Sequence, residues 1–345
     1  MQFFAFGFFA LLTISPAQAS DWRGITPDNS PHHAFAATID PVYKAIFESV
    51  SREKEITLLQ QLTGYIPVTV NGSTFSITDR FTDKAKANFR AFWTQYFTAL
   101  GIPVQDLEFR GGHNLEAVLP GKSKDSVVVI VHYDSMGPRG GETTNPAVDD
   151  DMTGMTTLME TARVLAAHKG ELQNTVRFVA ADLEEQGGLA GARQYANYLK
   201  AAASAGGFKI IAAVDNEQSG WNCAADDSCG ISVSAATLPP VDIFSCSGDG
   251  MGYNYQAMGD ALANVTSSYS GLGVHRGCIG ENSDHYAMWE IGVPSVVFSE
   301  HDPFENPHFD ESGGDTFDKI DQNYFFGISQ VGVTFAATLA GLGAH

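Results

Sequence analysis

Four short apolar runs in this chain each stop at the same kind of chemistry. Val127-Val128-Val129-Ile130-Val131 leads into His132-Tyr133-Asp134. Val176-Arg177-Phe178-Val179-Ala180-Ala181 leads into Asp182-Leu183-Glu184-Glu185. Ile210-Ile211-Ala212-Ala213-Val214 leads into Asp215-Asn216-Glu217, and Ser295-Val296-Val297-Phe298-Ser299 into Glu300-His301-Asp302. Apolar, β-branched runs of this length suit strands buried on both faces. Between them, apolar residues recur at helical spacing, as with Met155, Leu158, Met159, Ala162, Leu165 and Ala166. Strands over 126–131, 175–181, 208–214 and 293–299 are expected. Helices are expected over 43–63, 81–100, 153–168, 189–203, 252–263 and 322–342. Such alternation implies an α/β fold, a mostly parallel central sheet with helices on both faces. Ligands of such sheets bind beyond the carboxyl ends of the strands, where these polar residues fall.

The chain has 345 residues, with 40 acidic against 20 basic side chains and a net charge of −20. That balance argues against nucleic acid or an anionic membrane surface as a partner. Most of the excess suits a solvated surface, but dense carboxylate clusters repel themselves unless a cation relieves them. Residues 1–12 are almost wholly apolar and lead to Ala17-Gln18-Ala19, a small-x-small cleavage site. Residues 1–19 therefore read as a signal peptide, 20–40 as an N-terminal arm and 41–345 as a single domain. A secreted or periplasmic location follows, with no membrane contact after signal removal. The cysteines are Cys223, Cys229, Cys246 and Cys278. An even count in an exported chain suggests disulfides, either Cys223–Cys229 with Cys246–Cys278 or one of the two other pairings.

Each polar cluster has an ordinary explanation alone. A His-x-Asp pair is commonly a surface feature, and paired glutamates commonly open a solvated helix. One aspartate suffices to cap a helix, yet Asp149-Asp150-Asp151 supplies three. A carboxylate shared between two cations explains that density better. Glu305-Asn306-Pro307-His308 adds a histidine after the last strand, and Asp315-Thr316 follows. No His-Glu-x-x-His, Gly-x-Ser-x-Gly or phosphate-binding glycine loop is present.

Taken in order, His-x-Asp, Asp-Asp-Asp-x-Thr-Gly, Glu-Glu, a further acid, Ser283-Asp284-His285 and Asn-Pro…Asp-Thr resemble the zinc aminopeptidase family. Secreted bacterial leucyl aminopeptidases belong to it, and glutamate carboxypeptidase II and glutaminyl cyclases are distant relatives. The resemblance runs from about residue 81 to residue 326. It implies a zinc-peptidase (aminopeptidase-like) fold and a secreted, monomeric metallo-exopeptidase that removes N-terminal amino acids from peptides. It implies two zinc ions. His132 then matches a ligand of the first, Asp150 the bridge between both and Glu185 a ligand of the second. Glu184 matches the general base, and Asp134 the carboxylate that orients His132. The Asp150–Asp151 peptide bond is expected to be cis. Glu217 is the choice for the remaining ligand of the first zinc, with Asp215 as runner-up. His308 is the choice for the last ligand and His301 the fallback, because Asp310 stands where the family has histidine. Ser283-Asp284-His285 is expected to support the wall of the site. The alternative implied by the same resemblance is a glutaminyl-peptide cyclotransferase with one zinc on Asp150, Glu185 and His308. A non-catalytic protein with this fold is a third reading, against which the intact Glu184-Glu185 pair speaks.

Overall fold

The computed structural model describes residues 26–27, 39–138, 144–225, 229, 238–308 and 314–343. The expected signal peptide lies outside the described residues, as does the arm apart from 26–27 and 39–40. The chain starts with β1 (Thr26–Pro27), α1 (Pro41–Ser49), α2 (Arg52–Leu62), β2 (Val68–Val70), β3 (Ser73–Phe75) and α3 (Asp83–Ala99). It continues through β4 (Val104–Phe109), β5 (Gly112–Leu119), β6 (Ser126–His132), α4 (Gly154–Ala166), β7 (Thr175–Ala181) and α5 (Ala190–Gly206). Then come β8 (Ile210–Asn216), β9 (Val241–Ser247), α6 (Gln256–Tyr269), β10 (Val274–Ile279), α7 (His285–Glu290), β11 (Ser295–Ser299) and α8 (Gln322–Leu339).

Nine of these strands form one sheet in the order β1-β10-β9-β11-β8-β6-β7-β5-β4. The central block β7-β6-β8-β11 is parallel. Antiparallel pairs join that block to its flanks, β5 against β7 and β9 against β11. Alternate residues of β6 explain why its run is continuously apolar. Val129 and Val131 pack with α3 and α4 in one core. Val128 and Ile130 pack with α5 and α7 in another. Each such fully buried side chain contributes on the order of 1.5–3 kcal/mol.

The helix expected over 43–63 is two helices. Val50 is extended, and the Ser51 side chain accepts the Lys54 N–H to start α2 afresh. The helix expected over 252–263 starts later, at Gln256, and runs to Tyr269. The strands β4, β5, β9 and β10 and the short α7 were not among the expected elements. Both disulfides are the neighbouring pairs, Cys223–Cys229 and Cys246–Cys278. The second joins register partners on β9 and β10. Among the described residues, no helix is long and apolar enough to cross a membrane.

Gly154 decides how closely α4 meets the sheet. A Cβ there would overlap the Asn216 carbonyl oxygen at the end of β8 and the Asp151 carboxylate. Without it, the residues before α4 sit against the residues after β8. Gly191 does the same for α5, where a Cβ would overlap the Asp182 carbonyl. We expect Gly154→Ala to cost about 1–3 kcal/mol through overpacking, measured as a lowered midpoint in urea unfolding.

Candidate metal centre

The carboxyl ends of β6, β7 and β8 bring the acidic clusters together. His132 ends β6, and its Nε2 lies 3.0 Å from Asp150 Oδ1 and 3.7 Å from Glu217 Oε1. The three residues offer donor atoms within 4.8 Å of one another, all buried. Glu184 and Glu185, just beyond β7, line the same cleft as these three. The apolar part of its lining comes from Phe244, Ile279, Val297, Pro303 and Phe304, with the polar Asn282 and Ser299 beside them.

The three consecutive aspartates divide the work. They lie in an irregular turn, with Asp150 and Asp151 in non-helical backbone and the peptide bond between them cis. Asp149 accepts the N–H groups of Ser219 and Gly220, at 2.9 and 2.8 Å. It also takes the Asn306 side-chain amide at 3.1 Å. It thereby ties this turn to the loops after β8 and β11. Asp150 faces His132. Asp151 turns back and accepts the Gly154 N–H at 2.9 Å, at the start of α4.

Other groups hold the turn from behind. Asp315 accepts the backbone N–H groups of Asp149 and Asp150, at 2.7 and 2.9 Å. The buried Arg80 guanidinium donates to the carbonyls of Pro146 and Ala147. Gln218 donates to Asp150 Oδ2 at 3.2 Å. Lys86 pairs with Asp182 at 2.7 Å in a buried ion pair just before Glu184. Arg80, Lys86 and Gln218 carried no signal in the sequence, because each is recognisable only by what it touches.

The alternatives left open by the residues separate in space. Glu217 joins His132 and Asp150. Asp215, two residues earlier, accepts from Ser283 Oγ at 2.9 Å and from the His285 N–H at 2.9 Å. Ser283 Oγ is also in hydrogen-bond contact with Glu217, so its one hydroxyl sits between the two acids. Asp134 sits behind His132. The ring Nδ1 is 3.2 Å from the Asp134 carbonyl oxygen and 3.8 Å from its carboxylate. The Asp134 carboxylate instead accepts the Glu184 N–H at 2.9 Å. Glu185 and His308 do not join the three-donor set. The His308 N–H is held by the Asn306 side chain at 2.8 Å. His301 turns to Asp242, 2.7 Å away, rather than to Asp150. Asp310 lies outside the described residues.

The electrostatics of the cleft are dominated by negative charge. Burial pushes Glu184 and Glu217 well above the usual carboxylate range, and neighbouring acids add to it. Burial alone would depress His132, but Glu217, Asp150 and Glu184 raise it well above its ordinary value. One imidazole faces several carboxylates, and among the described residues no lysine or arginine lines the cleft. Nitrogen and carboxylate donors at this spacing suit a borderline cation such as zinc.

The profile of Peptidase family M28 matches residues 114–334. The chain belongs to that family. It is 26% identical over 236 residues to a probable leucine aminopeptidase 1 of Trichophyton verrucosum, covering 66% of this chain and 58% of that protein. The chain thus spans little more than half of that relative. Its fold is similar to the Legionella pneumophila LapA aminopeptidase, with TM-score 0.69 and 17% identity over 90% of this chain and 78% of the other. It is also similar to Porphyromonas gingivalis glutaminyl cyclase, with TM-score 0.61 and 16% identity over 84% of this chain and 99% of the other.

Asp315 touches the backbone that aims Asp150, so its loss should loosen the centre. We expect Asp315→Ala to weaken zinc retention about 10- to 100-fold, measured by competition with a chromogenic chelator.

Proposed function

We propose that this chain is an exported zinc aminopeptidase, a metallo-exopeptidase that removes N-terminal amino acids from peptides with two zinc ions. The observation that carries this reading is the convergence of His132, Asp150 and Glu217 beside Glu184 in one cleft. These donors fit a first zinc, and the crowding of buried carboxylates around one imidazole is what a cation would relieve. Asp150 would be shared with a second zinc, held also by Glu185 and His308. When bound, zinc supplies Lewis-acid polarisation of the scissile carbonyl and lowers the pKa of water to about 7.

The chain's own residues supply the rest. Glu184 would take the proton of the attacking water and deliver it to the leaving amine. Its backbone N–H is held by the carboxylate of Asp134, the residue behind His132. The wall of Phe244, Ile279, Val297 and Phe304 suits an apolar first side chain. The two disulfides support an oxidising compartment outside the cytosol.

The cyclotransferase reading shares the fold, and one zinc instead of two in the cleft of His132, Asp150 and Glu217 would favour it. The deciding assay is hydrolysis of leucyl anilide, its N-acetylated form and aspartyl anilide, with and without a chelator. We expect chelator-sensitive cleavage of the free-amine leucyl substrate, with the other two poor. Cleavage of N-acetyl-leucyl anilide at a similar rate would sink the aminopeptidase assignment. Glu184→Gln should lower kcat about 10²- to 10⁴-fold, with zinc content unchanged in elemental analysis.

A further inference from the structure

A second group of metal-ligating side chains lies away from the centre described above and shares no residue with it. Asp242 stands at the start of β9 and His275 at the start of β10. The parallel register pairs them directly. β11 runs antiparallel to β9 and pairs Ser299 with Asp242, which brings His301 over the same point two residues later. Asp242 Oδ1 lies 2.7 Å from His301 Nδ1 and 3.1 Å from His275 Nδ1. All three residues offer donor atoms within 4.8 Å of one another. Around a tetrahedral zinc with bonds of about 2.0–2.1 Å, neighbouring ligand atoms lie about 3.3 Å apart. A small outward movement of the two rings would fit the ion between them.

Four features make this group more than a hydrogen-bonded cluster. Asp242 and His301 are fully buried, and the two imidazoles are the partners that offset the Asp242 charge. Asp242 Oδ2 is already held by the Asp302 N–H at 3.2 Å, which leaves Oδ1 to face both rings. His301 Nε2 is buried without a hydrogen bond and lies 3.4 Å from the Asp302 carboxylate. A carboxylate behind the second ring nitrogen is the usual support of a metal-bound histidine. His275 is 40% exposed in its side chain, which gives an ion a path in and a position open to water.

We propose that Asp242, His275 and His301 form a further divalent-cation site, suited to zinc, that fastens the loop after β11 to β9 and β10. That loop continues into Pro303 and Phe304, the apolar wall of the cleft. The site is independent of the proposed catalytic reading, because it uses none of the same ligands.

The test is zinc content by elemental analysis after equilibration with buffered micromolar zinc. The chains compared are wild type, His275→Ala, and a His132→Ala/Glu217→Ala chain with and without His275→Ala. We expect His275→Ala to remove about one zinc per chain in both backgrounds and to abolish part of the zinc-dependent rise in Tm. The half-exposed His275 should be removable without unfolding, and circular dichroism checks this. If the double variant does not fold, the comparison of His275→Ala with wild type decides alone. Equal zinc content with and without His275, in folded protein, overturns the site and leaves a proton-sharing cluster in its place.

Discussion

Everything at the carboxyl edge of the sheet depends on burying Asp149, Asp150 and Asp151 together. All three are shielded from water, a costly arrangement for consecutive carboxylates unless each finds partners. The fold meets that cost by sending them in three directions. Asp149 is held by backbone amides and an asparagine, Asp151 by the amide that starts α4, and Asp150 by a histidine and a glutamine. Two of these arrangements are structural, and they leave the middle residue aimed into the cleft. Asp315 and Arg80 hold the backbone on the opposite side.

That arrangement requires close contact between elements distant in sequence. Gly154 supplies it by letting α4 approach the end of β8. His132 and Glu217 then meet Asp150 across adjacent parallel strands, since β6 pairs with β8. Parallel neighbours present their carboxyl ends to the same edge, so polar residues that follow each strand become neighbours. The antiparallel flank adds a different property. β9 and β11 run oppositely, which sets an apolar wall from Phe244, Val297 and Phe304 beside the acidic floor.

The parallel block was readable because its strands are buried on both faces and so need continuous apolar runs. β5 and β9 escaped the same reading for a physical reason. β5 buries Glu116, which Arg177 and Tyr195 satisfy from β7 and α5. β9 buries Asp242 against two histidines. A polar residue satisfied by a distant partner breaks the apolar pattern without breaking the strand. Helix ends were less legible for a similar reason. Ser51 is unremarkable in sequence until its side chain caps α2.

By itself, the sequence determined the α/β class, the parallel core and the set of residues from which a site could be drawn. Local chemistry suffices for these, because strand burial and helical spacing leave periodic traces. Only the tertiary structure decided between residues of the same type. Glu217 and Asp215 are both acids at the carboxyl end of β8, and Ser283 with His285 draws Asp215 aside while Glu217 meets His132. His301 and His308 are both histidines after β11, and the antiparallel register of β9 commits His301 to Asp242. Selection between equivalent side chains rests on distances across the sheet, and strand register sets those distances.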